Sequence, residues 1–157
     1  MSGRWWLDPR SQDRRHTGRV RPIGLSAILG AQLLSPAHIV AIDLADARLD
    51  AAKRFGADVV INNGRDDAVA IVHEMTDRLG ADVVIEAVGL PTTFELCTSL
   101  VRPGGHVANI GVHGAPVTLH LEELWIKNVT ITTGLVDTYS TPTLLNLIQD
   151  GGRIPAA

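Results

Sequence analysis

The 157 residues suffice for one domain with its own core, and 45% hydrophobic content with only 4% aromatics favours a closely packed fold over a disordered chain. A net charge of −3 excludes nucleic-acid binding driven by bulk charge. The single cysteine, Cys97, excludes an internal disulfide and a zinc knuckle built on a Cys pair, and it points to a reducing, cytoplasmic setting.

Charge is unevenly spread. Residues 1–21 hold Arg4, Arg10, Arg14, Arg15, Arg19 and Arg21 against Asp8 and Asp13, a balance of +4, while the rest carries −7. This stretch has no apolar segment of the secretory kind, so it reads as a basic, disordered leader, with Trp5-Trp6 a disordered pair inside it. No run of about 18 apolar residues occurs, so no membrane span is expected.

From residue 22 the pattern becomes regular. Pro22 to about Leu34 is Ala- and Leu-rich with proline in first position, which predicts a helix. His38–Asp43 is a short apolar run closed by an acid, hence a buried strand. Asp46–Phe55 predicts a helix stopped at Gly56. Asp58–Asn62 predicts a strand, and Asp66 or Asp67 caps a helix running to about Thr76. Ala81–Ala87 is a third strand and Pro91–Leu100 a helix. Arg102–Gly105 turns the chain into a strand from His106 to Val112. Asn128–Thr133 is a β-branched fifth strand, and Thr143–Gln149 a last helix. Strands that alternate with helices and carry continuous apolar runs predict a doubly wound, Rossmann-like parallel sheet with helices on both faces.

Asp43 carries the strongest chemical signal. It ends a strand and lies 19 residues after Gly24. In a dinucleotide-binding unit an acid at about that distance accepts hydrogen bonds from the adenosine ribose, and its charge disfavours a 2′-phosphate. A surface acid that merely ends a strand has the same spacing. Arg48, five residues on, is then placed to lie over that ribose. Three loops follow strand ends, at Ala87-Val88-Gly89, Gly111-Val112-His113 and Gly134-Leu135, where an open α/β sheet binds its ligands. His106 and His113 lack a neighbouring Cys or acid at ligand spacing, so no metal site is assigned. Cys97 reads as a buried, inert thiol within a helix. No residue is assigned a catalytic role; Glu86, at a strand end, is placed to accept backbone bonds.

The segments PIGLSAILGAQLL, IVAIDLADARLDAAKRFGADVVIN, GADVVIEAVG and LVRPGGHVANIGVHGAPVTLHLEELWIKNVTITTG together resemble the cofactor domain of the zinc-type, medium-chain alcohol dehydrogenases. The resemblance covers residue 22 to about 150. It implies a Rossmann fold, NAD as cofactor, and pairing of domains into a homo-oligomer, or with a full-length relative, through the edge strand 128–133. It makes Gly24 the last glycine of the phosphate loop, Asp43 the ribose acid and Arg48 the adenosine neighbour. It places Val88 and Gly89 on the adenosine side, and Gly111, Val112, Gly134 and Leu135 at the nicotinamide.

The departures are concentrated before Pro22. The family has a hydrophobic strand and a Gly-x-Gly-x-x-Gly loop there. This chain has DPRSQDRRHTGRVR, with Arg19 and Arg21 where the first two glycines belong. Arginine there obstructs the backbone's approach to a pyrophosphate, so weak or impaired NAD binding is expected. The expectation is therefore a truncated domain over 22–157 whose first, central strand is missing or degraded, with Thr17-Gly18-Arg19-Val20 as a crude substitute. Zinc belongs to the full-length family, but its ligands are absent here, so the chain is expected to be catalytically incomplete. The competing readings are a non-enzymatic remnant acting as a dimerisation or weak nucleotide-binding module, and an unrelated Rossmann-like transferase using an adenosine-containing methyl donor. Neither reading involves a nucleic acid or a membrane.

Overall fold

The computed structural model describes residues 4–8 (as a backbone path), 22–134 and 138–149. In chain order the elements are β1 Arg4–Asp8, α1 Pro22–Gln32, β2 His38–Asp43, α2 Asp46–Arg54, β3 Val59–Asn62, α3 Ala68–Met75 and β4 Ala81–Glu86. They continue as α4 Pro91–Leu100, β5 Val101–Asn109, α5 Leu121–Leu124 with a 3₁₀ turn over Trp125–Lys127, β6 Thr130–Thr133 and α6 Thr141–Gln149.

The strands form one sheet in the order β3-β2-β1-β4-β5-β6, and every pairing is parallel. This is the doubly wound Rossmann order, with its topological switch point between β1 and β4. Alternate residues of each strand face opposite sides. Val40, Ile42, Ile61, Val84 and Val107 enter one core with Ala68 and Val72 of α3 and Phe94, Cys97 and Leu100 of α4. Ile39, Ala41 and Ile85 enter the other, with Ile28 and Ala31 of α1 and Ala52 of α2. Burial on both faces is why the strands read as unbroken apolar runs. Cys97 is fully buried in the first of these cores.

The centre of the sheet corrects the sequence reading. The central strand is present, and it comes from the segment assigned to a disordered leader. β1 pairs with β2 from Arg4↔His38 to Leu7↔Ala41 and with β4 at Leu7↔Ile85 and Asp8↔Glu86. The physical reason lies on both sides. β2 and β4 carry inner edges whose backbone groups need partners once buried, and Trp5-Trp6-Leu7 is a run of good strand formers. Thr17–Val20, the expected substitute, and Arg19 and Arg21 lie outside the described residues.

β5 also differs. It begins at Val101 rather than His106, with Val101 opposite Ala81 and His106 opposite Val83, and an irregularity between absorbs Pro103-Gly104-Gly105. It ends at Asn109, short of Val112.

Asp67 is the residue that caps α3; its Oδ1 accepts from Ala70 N at 3.0 Å. The carboxylate satisfies one orphan donor of the first turn. Asp67→Ala is expected to lower stability by about 1 kcal/mol, read as a shift in urea midpoint at constant slope.

Candidate functional site

The described strands from β2 to β6 each end in a polar residue, and these align across the sheet. Asp43 sits opposite Asn62, Glu86 opposite Asn109, and Asn109 opposite Thr133. Parallel strands release their chain at this edge, so polar side chains here serve the loops that leave it.

Asp43 is buried to 1% exposure. Its Oδ1 accepts from Leu44 N at 2.6 Å and Ala45 N at 3.0 Å, which shapes the turn into α2. Arg48, on the first turns of α2, grips it in a fork, with Nη2 at 2.5 Å from Oδ1 and Nε at 2.6 Å from Oδ2. The hydrogen bonds to Asp43 hold the Arg48 guanidinium above its ordinary pKa, against the opposing effect of burial. Asn62 ties the neighbouring loop in: its amide donates to Leu44 O at 3.3 Å and to Asp46 Oδ1 at 2.8 Å, while Gly64 N donates to its Oδ1. Arg65 closes this end with two bonds to the exposed Asp46 carboxylate, both 2.9 Å.

Glu86 organises the other side of the switch point. It is fully buried. Val88 N and Gly89 N each donate to its Oε1 at 2.9 Å, and the Thr93 hydroxyl does so at 2.6 Å. Its own carbonyl accepts from Ile110 N and Gly111 N. The loop after β4 is thereby drawn onto the loop after β5. Gly89 has φ +84°, and a Cβ there would overlap the Val112 carbonyl; one at Gly111 would overlap the Glu86 carboxylate and Gly89 N. His113 Nε2 lies 2.8 Å from Asn109 Oδ1 and 3.4 Å from Glu86 Oε2, with its ring edge-on to Phe94.

A cleft of about 730 Å³ opens between the start of α1 and the ends of β5 and β6, lined by Pro22, Ile23, Ser26, Ala27, Ala108–Ile110, Thr132–Gly134 and Ser140. Its volume suits a small-molecule moiety, and a helix N-terminus at its wall favours an anion. Gly24 is buried in the first turn of that helix, and beyond the helix's own backbone no described atom lies within 4 Å of where a Cβ would stand.

The residues singled out in the sequence thus fall into three groups. Asp43 and Arg48 are in direct contact. Val88, Gly89, Gly111 and Val112 form the joined loops over Glu86, with Val112 81% exposed. Gly134 lines the cleft beside α1, while Leu135 lies outside the described residues. Sequence reasoning missed Asn62, Thr93 and Asn109. Their signal was the recurrence of a polar residue where each apolar run stops.

The chain matches the family model described as "Zinc-binding dehydrogenase" over residues 22–150. The chain belongs to the zinc-binding dehydrogenase family. It is 42% identical over 100 residues to an alcohol dehydrogenase of Cupriavidus necator, covering 64% of this chain and 27% of that protein. It is 33% identical over 131 residues to the erythritol/L-threitol dehydrogenase of Mycolicibacterium smegmatis, covering 83% of this chain and 36% of that protein. The solved structure of zinc dependent alcohol dehydrogenase 2 from Streptococcus pneumonia, in its apo form, superposes with a TM-score of 0.86 at 39% identity, covering 98% of this chain and 42% of that one. This member of the zinc-binding dehydrogenase family therefore spans about a third of the length of the curated relatives it matches.

Zinc requires three or four Cys, His or carboxylate ligands around one point. Among the described residues no group of three or more such side chains is so arranged, so the residues described do not fit a zinc ion. A dinucleotide is a better match: a buried acid at the second strand end, glycines at the closing loops and a helix N-terminus over a cleft are the groups it uses. Among the described residues no helix is long and apolar enough to cross a membrane.

Proposed function

We propose that this chain is the NAD(H)-binding domain of a zinc-type alcohol dehydrogenase. Asp43 takes the adenosine ribose, and the cleft beside Gly24 and Gly134 takes the nicotinamide half. The observation that carries this reading is the buried carboxylate closing the second strand of a sheet ordered β3-β2-β1-β4-β5-β6. When bound, NAD supplies the acceptor for a hydride from an alcohol. The chain's own residues do the holding. Asp43 accepts the ribose hydroxyls, with Arg48 over the adenosine. Val88 and Gly89 border the adenosine side, and Gly111 and Val112 approach the nicotinamide from the joined loops; Leu135, assigned to the nicotinamide by the family resemblance, lies outside the described residues. We assign no catalytic residue. We infer that the chain is catalytically incomplete by itself, since the zinc chemistry of the family requires a ligand set that the described residues do not gather.

The exposed edge strand Thr130–Thr133 is the surface through which two copies pair, since an unpaired edge is a template for another strand. We infer weakened NAD binding from the sequence alone, in which Arg19 and Arg21, outside the described residues, stand where the family has loop glycines.

Calorimetric titration of the chain with NADH tests the reading. Asp43→Ala is expected to weaken binding by tenfold or more, about 1.4 kcal/mol. Equal affinity in the two proteins defeats the assignment of Asp43.

A further inference from the structure

The geometry points to Arg48 as a gate that competes with the ribose for Asp43 and so sets both the affinity for dinucleotide and the preference between its two forms. This inference rests on the reading of Asp43 as the ribose acid. An ionised carboxylate offers about four lone-pair positions. At Asp43, Oδ1 already accepts from Leu44 N, Ala45 N and Arg48 Nη2, and Oδ2 from Arg48 Nε. A vicinal diol brings two further donors and finds at most one acceptor position open, on Oδ2.

The two backbone donors cannot leave. They belong to the turn from β2 into α2, where Arg48 N and Leu49 N already close the first helical bonds on Ala45 O. The guanidinium can leave: its side chain is 20% exposed against 2% for Asp43, and it sits on a flexible stem. Ribose entry therefore breaks the fork, and the lost ion pair is subtracted from the binding energy.

The same exchange bears on selectivity. A bare carboxylate repels a 2′-phosphate, and that repulsion is what makes such an acid select the unphosphorylated cofactor. Here the carboxylate is neutralised by a partner. The guanidinium released from Asp43 stays beside the 2′ position, where a phosphate offers it a new anion and a hydroxyl does not. Arg48 thus lowers affinity for NADH and narrows the margin against NADPH.

The test is fluorescence titration of the whole chain with NADH and with NADPH, in wild type, Arg48→Met, Arg48→Lys and Asp43→Ala, each first shown to melt cooperatively. Arg48→Met keeps most of the packing and removes the fork. It is expected to bind NADH more tightly and NADPH more weakly, raising the ratio of their Kd values by about tenfold, a size usual for coupled contacts. Arg48→Lys, which keeps charge but not the fork, moves both the same way by less, and it carries the test if the Met variant does not fold. Weaker NADH binding in both Arg48 variants overturns the gate, because Arg48 is then a contact for the ribose rather than its rival. Asp43→Ala binding NADH as well as wild type overturns the ribose assignment instead. Folded protein that binds neither cofactor in any variant overturns both.

Discussion

Glu86→Ala is expected to remove about 4 kcal/mol of stability, within the range found when one partner of a buried polar network is deleted. The carboxylate is fully buried and serves Val88 N, Gly89 N and the Thr93 hydroxyl at once. Alanine takes the acceptor from the two backbone N–H groups in a space closed to water, while the Thr93 hydroxyl keeps Leu90 O as its acceptor at 2.8 Å, and each buried donor that loses its bond costs about 1–3 kcal/mol. Part of this is recovered as the loops relax towards solvent, which keeps the total below the simple sum. His113 loses a neighbour in the same change. Glu86→Gln retains one acceptor oxygen and is expected to lose about half as much. Urea unfolding of the three proteins reads the difference. Equal midpoints for wild type and Glu86→Ala refute the idea that this side chain holds the two loops together.

Gly89→Ala is expected to cost about 3 kcal/mol or more, from two causes that act together. At φ +84° a non-glycine residue is strained by about 1–2 kcal/mol. The added methyl also has no room, since it would overlap the carbonyl and backbone nitrogen of Val112. That obstacle is main chain, so relief requires the loop after β5 to move as a body, pulling on the bonds from Ile110 N and Gly111 N to Glu86 O. Thermal unfolding measures the loss. Gly114→Ala is the control: among the described residues no atom beyond its chain neighbours lies within 4 Å of a Cβ there, and it is expected to stay within about 0.5 kcal/mol of wild type.

The parts of the fold legible in the sequence were those where local chemistry and tertiary demand agree. β2 and α4 occupy the ranges their residues announce, because the apolar run Ile39-Val40-Ala41-Ile42 closed by Asp43 and a Pro91 at the first helical position leave few alternatives. β1 was not legible. Its five residues hold two charges and two tryptophans, a composition that says surface when read alone. Only the unmet hydrogen bonds of β2 and β4, a property of the assembled sheet, call for a strand there. β5 was misjudged for a related reason: Pro103-Gly104-Gly105 looks like a turn, and the sheet absorbs it as an irregularity inside a strand. α5 and the turn after it are too short to show a period.

At the site, spacing from Gly24 singled out Asp43, but nothing in the spacing shows that Arg48 engages both of its oxygens. That depends on the pitch of α2, which brings a side chain five positions on back over the strand end. The reading of Glu86 as an acceptor of backbone bonds understated its role, because Thr93 and His113 reach it only through the fold.

β1 is the element that joins the two halves of the sheet. It packs against β4 as closely as against β2, with Leu7 opposite Ile85 and Asp8 opposite Glu86 on one side and Arg4 to Leu7 opposite His38 to Ala41 on the other. A dinucleotide lying from Asp43 to the far cleft would cross that same seam and act as a clasp. The domain would then be stiffest when loaded and loosest when empty.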